Sequence, residues 1–273
     1  MTYCCGILVR DGLVMIADTR TNAGLDNVST FRKLHVYSEP GERIMALASS
    51  GNLSLSQTVR STLTEGVDNP ETGERETLLN SPTMFQAAQR IGRTIRGIQS
   101  AEGKALEAAE IDHDVAFLFA GQIKGERLRL FMIYSAGNFI ECTTDTPYLQ
   151  IGEHKYGKPV LDRAIGFDTD LYDSLKIGLI SMDSTMRSNL GVGLPIDILV
   201  VRRDSCDAEV TYRIEPGEPY FQDLRERWSG ALRAAHIAIP RPPYRSPGLN
   251  SPGRPRLHRV PCSPSAVPLP PIN

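Results

Sequence analysis

The order of strand-like and helix-like segments constrains the fold of this chain more than any other feature of its sequence. Apolar periodicity, turn residues and helix caps predict this order: strands at 3–9, 13–17, 31–37 and 43–49, helices from Asn52 or Ser54 and from Ser81-Pro82, strands at 114–122, 127–135 and 138–143, helices at 157–166 and 169–187, strands at 196–202 and 209–214, and a helix at 219–235. Strands grouped with strands, and helices with helices, indicate packed antiparallel sheets with helices outside rather than βαβ units. We therefore expect an α+β fold with two sheets.

The composition excludes several classes of function. The chain has 273 residues, with 30 Lys and Arg against 32 Asp and Glu, which gives a formal net charge of −2. This near balance provides no overall attraction to nucleic acid or to an anionic membrane. No apolar stretch approaches the roughly 18–20 residues of a membrane-spanning helix, and no signal peptide is recognised. The five cysteines are odd in number and irregular in spacing, and the histidines form no metal-binding pattern. We expect a cytoplasmic protein with reduced thiols and no metal.

The last part of the chain differs in composition from the rest. Residues 240–273 contain eleven prolines and no acidic residue. Such a segment cannot bury a core, so we expect a folded domain over 2–238 and a Pro/Arg-rich disordered tail over 239–273. A shifted reading frame in GC-rich DNA would give the same composition, and a PxxP-type ligand is an alternative interpretation.

Thr2 is the first candidate for chemistry. Removal of Met1 would place a hydroxyl and a free α-amino group on one residue, which combines a nucleophile with its own base. The α-amino group has a reference pKa of about 7.7–8.0, so it can accept the hydroxyl proton near neutral pH. The alternative is that Thr2 is simply the β-branched residue that starts a strand.

The first hairpin favours the chemical interpretation. A three-residue loop at 10–12, with Gly12 in the left-handed position of a bulge, would pair residue 9 with residue 13. Cys4 would then pair with Asp18, and Asp18 would be a diagonal neighbour of Thr2 on the same face. A slip of one residue would move Asp18 to the other face, so this prediction depends on the length of the loop.

Lys33 is the expected partner of Asp18. It lies in a predicted strand in which Phe31, Lys33, His35 and Tyr37 share one face. A half-buried lysine is costly unless it is paired, and an ion pair with Asp18 would satisfy both residues. Left positive, Lys33 would lower the pKa of the Thr2 hydroxyl and amine. The alternative is that both are surface charges at a solvated rim.

A third element follows the strand at 43–49. The sequence Ser49-Ser50-Gly51-Asn52 joins this strand to a helix, and backbone N–H groups at a helix N-terminus suit an oxyanion hole. Gly51 would also let a substrate backbone approach closely. Many strand–Gly–helix junctions are only helix caps, which is the alternative.

Several stretches of the chain together resemble proteasome-type β-subunits, the N-terminal-threonine peptidases of the Ntn-hydrolase fold. These stretches are TYCCGILVRDGLVMIADTRTNAG, STFRKLHV, MALASSGN, YSAGNFIE, IGEHKYGKPVLDRAI, SMDSTMRSNLGVGLPIDILVV and PYFQDLRERWSGALR. Within the family, the chain is most similar to the bacterial proteasome-like group Anbu (ancestral β-subunit). The resemblance extends over about residues 2–235.

The resemblance implies a four-layer αββα sandwich in a self-compartmentalising homo-oligomer, either a ring or a helix, that acts on polypeptides without a cofactor. It leaves any ATPase partner undetermined. It implies Thr2 as nucleophile and base, oriented by Asp18 and Lys33, with the Gly51 amide in the oxyanion hole. The substrate would add as an extended strand along the segment Arg20-Thr21-Asn22.

The sequence departs from the family in the residues that would support this site. Proteasome subunits carry a serine where Glu153 follows Ile151-Gly152. The usual second Asp/Ser pair has three candidates, Asp183, Ser184 and Ser188.

Three hypotheses follow. The chain is a threonine peptidase, an inactive member that assembles or binds peptides, or an Ntn amidase for a small amide.

Overall fold

The structure is a computed structural model that describes residues 1–22, 28–69 and 73–244. Residues 1–232 form one compact unit, and the described part of the second unit, 233–244, comprises the end of the last helix and an irregular segment. Most of the predicted tail, 245–273, lies outside the described residues. The boundary predicted at 238 therefore stays a prediction.

The described residues form strands and helices in nearly the predicted order. The strands are β1 (Tyr3–Val9), β2 (Gly12–Asp18), β3 (Arg20–Asn22), β4 (Val28–Thr30), β5 (Leu34–Glu39), β6 (Arg43–Gly51), β7 (Val67–Asp68), β8 (Arg75–Glu76), β9 (Val115–Ile123), β10 (Arg129–Ile133), β11 (Phe139–Glu141), β12 (Tyr148–Gly152), β13 (Ile196–Arg202) and β14 (Val210–Ile214). The helices are α1 (Leu53–Glu65), α2 (Met84–Ala108), α3 (His154–Ala164), α4 (Leu171–Ser188) and α5 (Pro219–Ala238). No helix among the described residues has the length and apolar character needed to cross a membrane.

Two five-stranded antiparallel sheets form the centre of the molecule. One has the strand order β12-β1-β2-β13-β14 and the other β11-β10-β9-β6-β5. One apolar core lies between the sheets, a second lies between the first sheet and α3, α4 and α5, and a third lies between the second sheet and α1 and α2. Because β1 and β2 are covered on both faces, they read as continuous apolar runs without alternation. The predicted fold class, an αββα sandwich, is confirmed.

The predicted register of the first hairpin is wrong by one residue. Val9 pairs with Gly12, across a two-residue loop, and Cys4 pairs with Ala17 rather than with Asp18. Gly12 does not adopt the left-handed conformation; it lies in β2, where a Cβ atom would come within 2.3 Å of the Val201 carbonyl oxygen. The glycine is therefore needed for the close approach of β13, and not for a bulge.

The strand predicted at 31–37 begins later than expected. β5 starts at Leu34, and Lys33 and Leu34 are both buried, whereas Phe31 is exposed. Two consecutive buried residues break the alternation of a strand. The prediction that residues 31, 33, 35 and 37 share one face of a strand is therefore wrong for residues 31 and 33. Lys33 instead lies in an irregular segment before β5, and its backbone carbonyl accepts a hydrogen bond from the Ser49 amide.

The observed N-caps of α1 and α2 test the helix starts predicted from capping residues. Asn52 caps α1 and its side chain accepts a hydrogen bond from the Leu55 amide, as one of the two predicted caps. For α2 the predicted cap is wrong, because Thr83 and not Ser81 accepts from the Gln86 amide. Ser81 is fully buried two residues before the helix cap.

Candidate active site at the start of β1

Thr2 lies immediately before β1, with only 9% of its surface exposed. Its carbonyl oxygen accepts a hydrogen bond of 2.7 Å from the Glu153 amide at the end of β12. Gly152, with a φ of +79°, permits this approach, because a Cβ atom there would lie 2.0 Å from the Thr2 carbonyl oxygen. The neighbouring edge strand therefore fixes the backbone of Thr2.

The carboxylate of Asp18 contacts the backbone of Tyr3, the residue that follows Thr2. It is fully buried and accepts hydrogen bonds from the Tyr3 amide (3.0 Å), the Gly193 amide (3.3 Å) and Lys33 Nζ (2.8 Å). Burial raises the pKa of the Asp18 carboxyl, and the Lys33 charge and the two amides act against that rise. Because the Tyr3 amide is part of the peptide bond that follows Thr2, Asp18 is hydrogen-bonded to the peptide unit next to Thr2.

Lys33 completes a buried ion pair. Its side chain is 5% exposed, and Nζ donates to Asp18 Oδ1 at 2.8 Å and to the Arg20 carbonyl oxygen at 2.6 Å. An ammonium group has three N–H donors, and these two bonds use two of them. The ion pair expected from the sequence is present, although the hairpin register used to place Asp18 near Thr2 is wrong.

The segment after Asp18 lies against the loop that follows α4. The Thr19 amide and hydroxyl both donate to the Pro195 carbonyl, and Arg20 Nη1 donates to the Leu190 carbonyl at 3.1 Å. Thr21 and Asn22 continue in β3, which pairs with β4, and Thr21 Oγ1 is buried without a hydrogen-bond partner among the described residues. The predicted substrate-binding residues therefore form a short strand that begins two residues after Asp18.

Gly51 occupies the end of β6, at the junction with α1. Its φ is +95°, and a Cβ atom would lie 2.1 Å from the Asp114 carbonyl oxygen. The fold itself therefore requires glycine here, apart from any substrate. Two residues earlier, the carbonyl of Ser49 lies 3.8 Å from Cys4 Sγ, which places this junction next to the start of β1.

Glu153 is the one supporting candidate that contacts Thr2. Its backbone amide holds the Thr2 carbonyl, and its side chain is 15% exposed. Oε2 has no hydrogen-bond partner among the described residues and lies 3.5 Å from Lys155 Nζ.

The other three candidates lie on α4. Asp183 is fully buried and pairs with Arg225 Nε at 2.6 Å and with Arg187 Nε at 3.3 Å. Ser184 Oγ donates to the carbonyl one turn earlier in the helix, and Ser188 is exposed at the helix end. These contacts do not include Thr2, Asp18 or Lys33.

Sequence reasoning missed a polar cluster beneath β1. The Tyr3 hydroxyl is 2.6 Å from Ser181 Oγ of α4 and accepts a hydrogen bond from the Gln150 side chain. The signal for it is the series Ser174, Ser181 and Thr185, small polar residues that recur on the buried face of α4. The cluster anchors the residue next to Thr2.

The thiols near Thr2 do not compete with its hydroxyl as nucleophiles. Cys4 and Cys5 are free and fully buried. Burial raises the pKa of Cys5 to about 12 and that of Cys4 well above its usual value, and the Asp18 charge raises the pKa of Cys4 further. Both thiols are protonated at neutral pH. Within the described ranges, no cluster of three or more metal-ligating side chains occurs.

The αββα sandwich, with a threonine at the start of β1 and a buried Asp–Lys pair behind it, defines an Ntn-type, proteasome-like fold. The chain belongs to the Anbu (ancestral beta-subunit) family. It is 44% identical to Anbu from Yersinia bercovieri over 87% of this chain and 97% of that one, with a TM-score of 0.79. It is 45% identical to Anbu from Hyphomicrobium sp. strain MC1, over 88% and 98%, with a TM-score of 0.79.

A third similar structure is described as a helical assembly of the Anbu complex from Pseudomonas aeruginosa. It is 42% identical over 88% of this chain and 98% of that one, with a TM-score of 0.82. No protein-family model and no curated protein matches the chain.

Proposed function

We propose that this chain is a threonine-type peptidase whose nucleophile is Thr2, exposed by removal of Met1. The observation that carries the proposal is the chain of short contacts from Lys33 Nζ to Asp18 and from Asp18 to the Tyr3 amide. A buried ion pair is costly to place in a protein interior, and this one is attached to the peptide bond beside the terminal hydroxyl. Met1 is 60% exposed, which suits its removal by an aminopeptidase.

The proposed reaction uses the two functional groups of the mature terminus. The Thr2 amine takes the hydroxyl proton, directly or through water, while Oγ1 attacks the peptide carbonyl. The third N–H of Lys33 stabilises the developing alkoxide, and Asp18 keeps Lys33 in place. The amine then passes its proton to the leaving nitrogen, an ester to Thr2 remains, and water hydrolyses it with the amine again acting as base.

The proposed oxyanion hole is the backbone amide of Gly51, at the positive end of α1. An extended peptide would lie between Gly51 and the strand segment Arg20-Thr21-Asn22, and would bind by backbone hydrogen bonds. The short β3 and the positive φ of Gly51 support this arrangement. No metal or organic cofactor takes part in the reaction.

We also propose that the protein is cytoplasmic and works as a homo-oligomer, a ring or a helix, that encloses the sites. The helical assembly described for the relative from Pseudomonas aeruginosa supports this proposal.

A second candidate function is assembly or peptide binding without turnover. Glu153 favours it, because a carboxylate replaces the serine that proteasome subunits carry beside the nucleophile, and its Oε2 lacks a hydrogen-bond partner in the described structure. A small-amide amidase would use the same Thr2 chemistry.

Turnover of a peptide library, by wild type and by Thr2→Ala, tests the proposal. Alanine at position 2 still permits removal of Met1 and leaves the amine, so the variant loses the nucleophilic hydroxyl, together with the γ-methyl group, and keeps the proposed base. We expect cleavage by wild type and a loss on the order of 10³-fold or more in the variant. If wild type cleaved simple amides but no peptides, the protein would be an amidase. If wild type and Thr2→Ala both bound peptides and neither cleaved them, the second candidate function would be indicated.

A further inference from the structure

A cavity of about 550 Å³ lies beside α2, away from the residues assigned to the site. Its walls include Arg90, Arg93 and Arg96 of α2, with Glu76 of β8 and Phe139 of β11. This volume is in the usual range for small-molecule sites, about 300–1,000 Å³.

The lining of this arginine cavity carries an excess of positive charge. Arg90 and Arg93 share one carboxylate, Glu76, at 3.3 and 3.7 Å, and Arg96 Nη1 donates to the Gly137 carbonyl at 3.1 Å. Among the described residues, Glu76 is the only acidic residue in the lining. The described lining therefore carries three guanidinium charges and one carboxylate charge. A guanidinium group has the geometry to bind a carboxylate or a phosphate with two hydrogen bonds.

Two of the three arginines, Arg90 and Arg96, are held in place by contacts within the fold. Arg90 is 13% exposed; its Nη1 donates to the Thr77 carbonyl and to Asn80 Oδ1, and its Nε is buried without a hydrogen-bond partner among the described residues. Gly92 packs directly on the turn at Gly137, where a Cβ on Gly92 would lie 2.1 Å from the carbonyl oxygen. This contact fixes α2 on the turn that Arg96 binds. Preorganised donors lower the entropic cost of binding a ligand.

The spacing of the arginines selects the kind of ligand. They recur every three residues, so successive Cα atoms are separated by a rise of about 4.5 Å along the helix axis. Phe139, whose ring packs edge-on against Phe85 and Phe131 at 5.6 Å, adds a rigid apolar wall. We infer that the arginine cavity binds a small molecule with two or more phosphate or carboxylate groups.

Isothermal titration of the full-length protein with pyrophosphate and with citrate tests this inference and separates the two sources of negative charge. We expect saturable binding of one molecule per chain, stronger for one of the two probes. Arg93→Gln and Arg96→Gln should each weaken it about tenfold or more, since each removes charge-assisted hydrogen bonds. Lys104→Gln is the matched control, because it removes the same charge from an exposed position of the same helix outside the cavity lining. It should leave the affinity unchanged.

Two results would overturn the inference. One is the absence of saturable binding of both probes to folded wild-type protein. The other is an equal loss of affinity in Lys104→Gln and in the two arginine variants, which would indicate a response to net charge alone. Circular dichroism of each variant confirms that it is folded. Arg93 is 61% exposed, so its replacement should not disturb the core.

Discussion

Two buried aspartates, Asp18 and Asp183, look alike by the usual criteria and differ in what they hold. Both are fully buried and both are ion-paired. Lys33, the partner of Asp18, has a side chain that is only 5% exposed, whereas the partners of Asp183, Arg225 and Arg187, are 33% and 55% exposed.

The backbone contacts separate the two further. Asp18 accepts hydrogen bonds from two backbone amides, Tyr3 and Gly193, that belong to distant parts of the chain. In the described part of the chain, the hydrogen-bond and ion-pair partners of Asp183 are side chains of α4 and α5. Burial and charge therefore do not by themselves distinguish the two aspartates. Asp18 differs in its buried cationic partner and in its two backbone amide donors, one of which follows Thr2.

Removing the cation from the first pair should have the largest effect. Lys33→Met leaves the Asp18 carboxylate buried without its counter-charge, which we expect to lower the free energy of unfolding by about 3–5 kcal/mol. Peptide cleavage should also be lost, because the alkoxide of Thr2 has no neighbouring positive charge. Denaturant unfolding and peptide turnover measure the two effects.

The double variant Asp18→Asn/Lys33→Met separates folding from chemistry. It removes both charges, so we expect it to recover stability relative to Lys33→Met. Activity should not return. If the double variant cleaved peptides as wild type does, the assignment of the pair to the reaction would be wrong.

Removing the cation from the second pair should cost less. In Arg225→Met, Asp183 retains Arg187 and the methionine keeps the apolar contacts of the side chain, so we expect a loss of about 1–3 kcal/mol in unfolding free energy. Turnover per folded molecule should stay within about twofold of wild type, measured at a temperature where both are folded. A selective loss of activity without a loss of stability would place Asp183 in the reaction instead.

The smallest expected effect is on the rate at which a reagent labels the buried cysteine thiols. Labelling of Cys4 reports on local opening around β1 and Asp18. Because burial raises the pKa of Cys4, Cys5 and Cys142, a thiol reagent at pH 8 should leave all three unlabelled in the folded protein and label them in denaturant. Peptide mapping after labelling identifies each site. Labelling of Cys4 should be faster in Lys33→Met than in wild type and unchanged in Arg225→Met. Equal labelling in the two variants would contradict the distinction between the regions.

The layered fold follows from the sequence because grouped strands and grouped helices permit few other packings. The ion pair follows because a buried lysine and an aspartate at the end of an apolar run each need a partner. The register of the first hairpin could not be predicted from the local sequence. Gly12 is required by the close approach of Val201, which is 189 residues further along the chain. The edge strand β12 was not predicted, although it supplies Gly152 and Glu153 to Thr2.

The same limit applies to the residues around the site. Tyr3 and Ser181 meet only when α4 packs on β1. The small polar residues on the buried face of α4 indicate a polar contact there, but they do not indicate that Tyr3 is the partner. The sequence predicts that Gly51 lets a substrate backbone approach, whereas the fold itself already excludes a side chain at this position. Sequence patterns thus indicate which residues need partners, and the long-range packing decides where the partners are.

The most direct test of the proposed nucleophile is the intact mass of the purified, folded protein before and after treatment with an electrophile selective for N-terminal threonine. We predict that Met1 is absent from the untreated protein and that one adduct forms per chain, on Thr2. The adduct should be absent from Thr2→Ala treated in the same way. Retention of Met1, or an unmodified Thr2 in the folded protein, would contradict the assignment of Thr2 as the nucleophile.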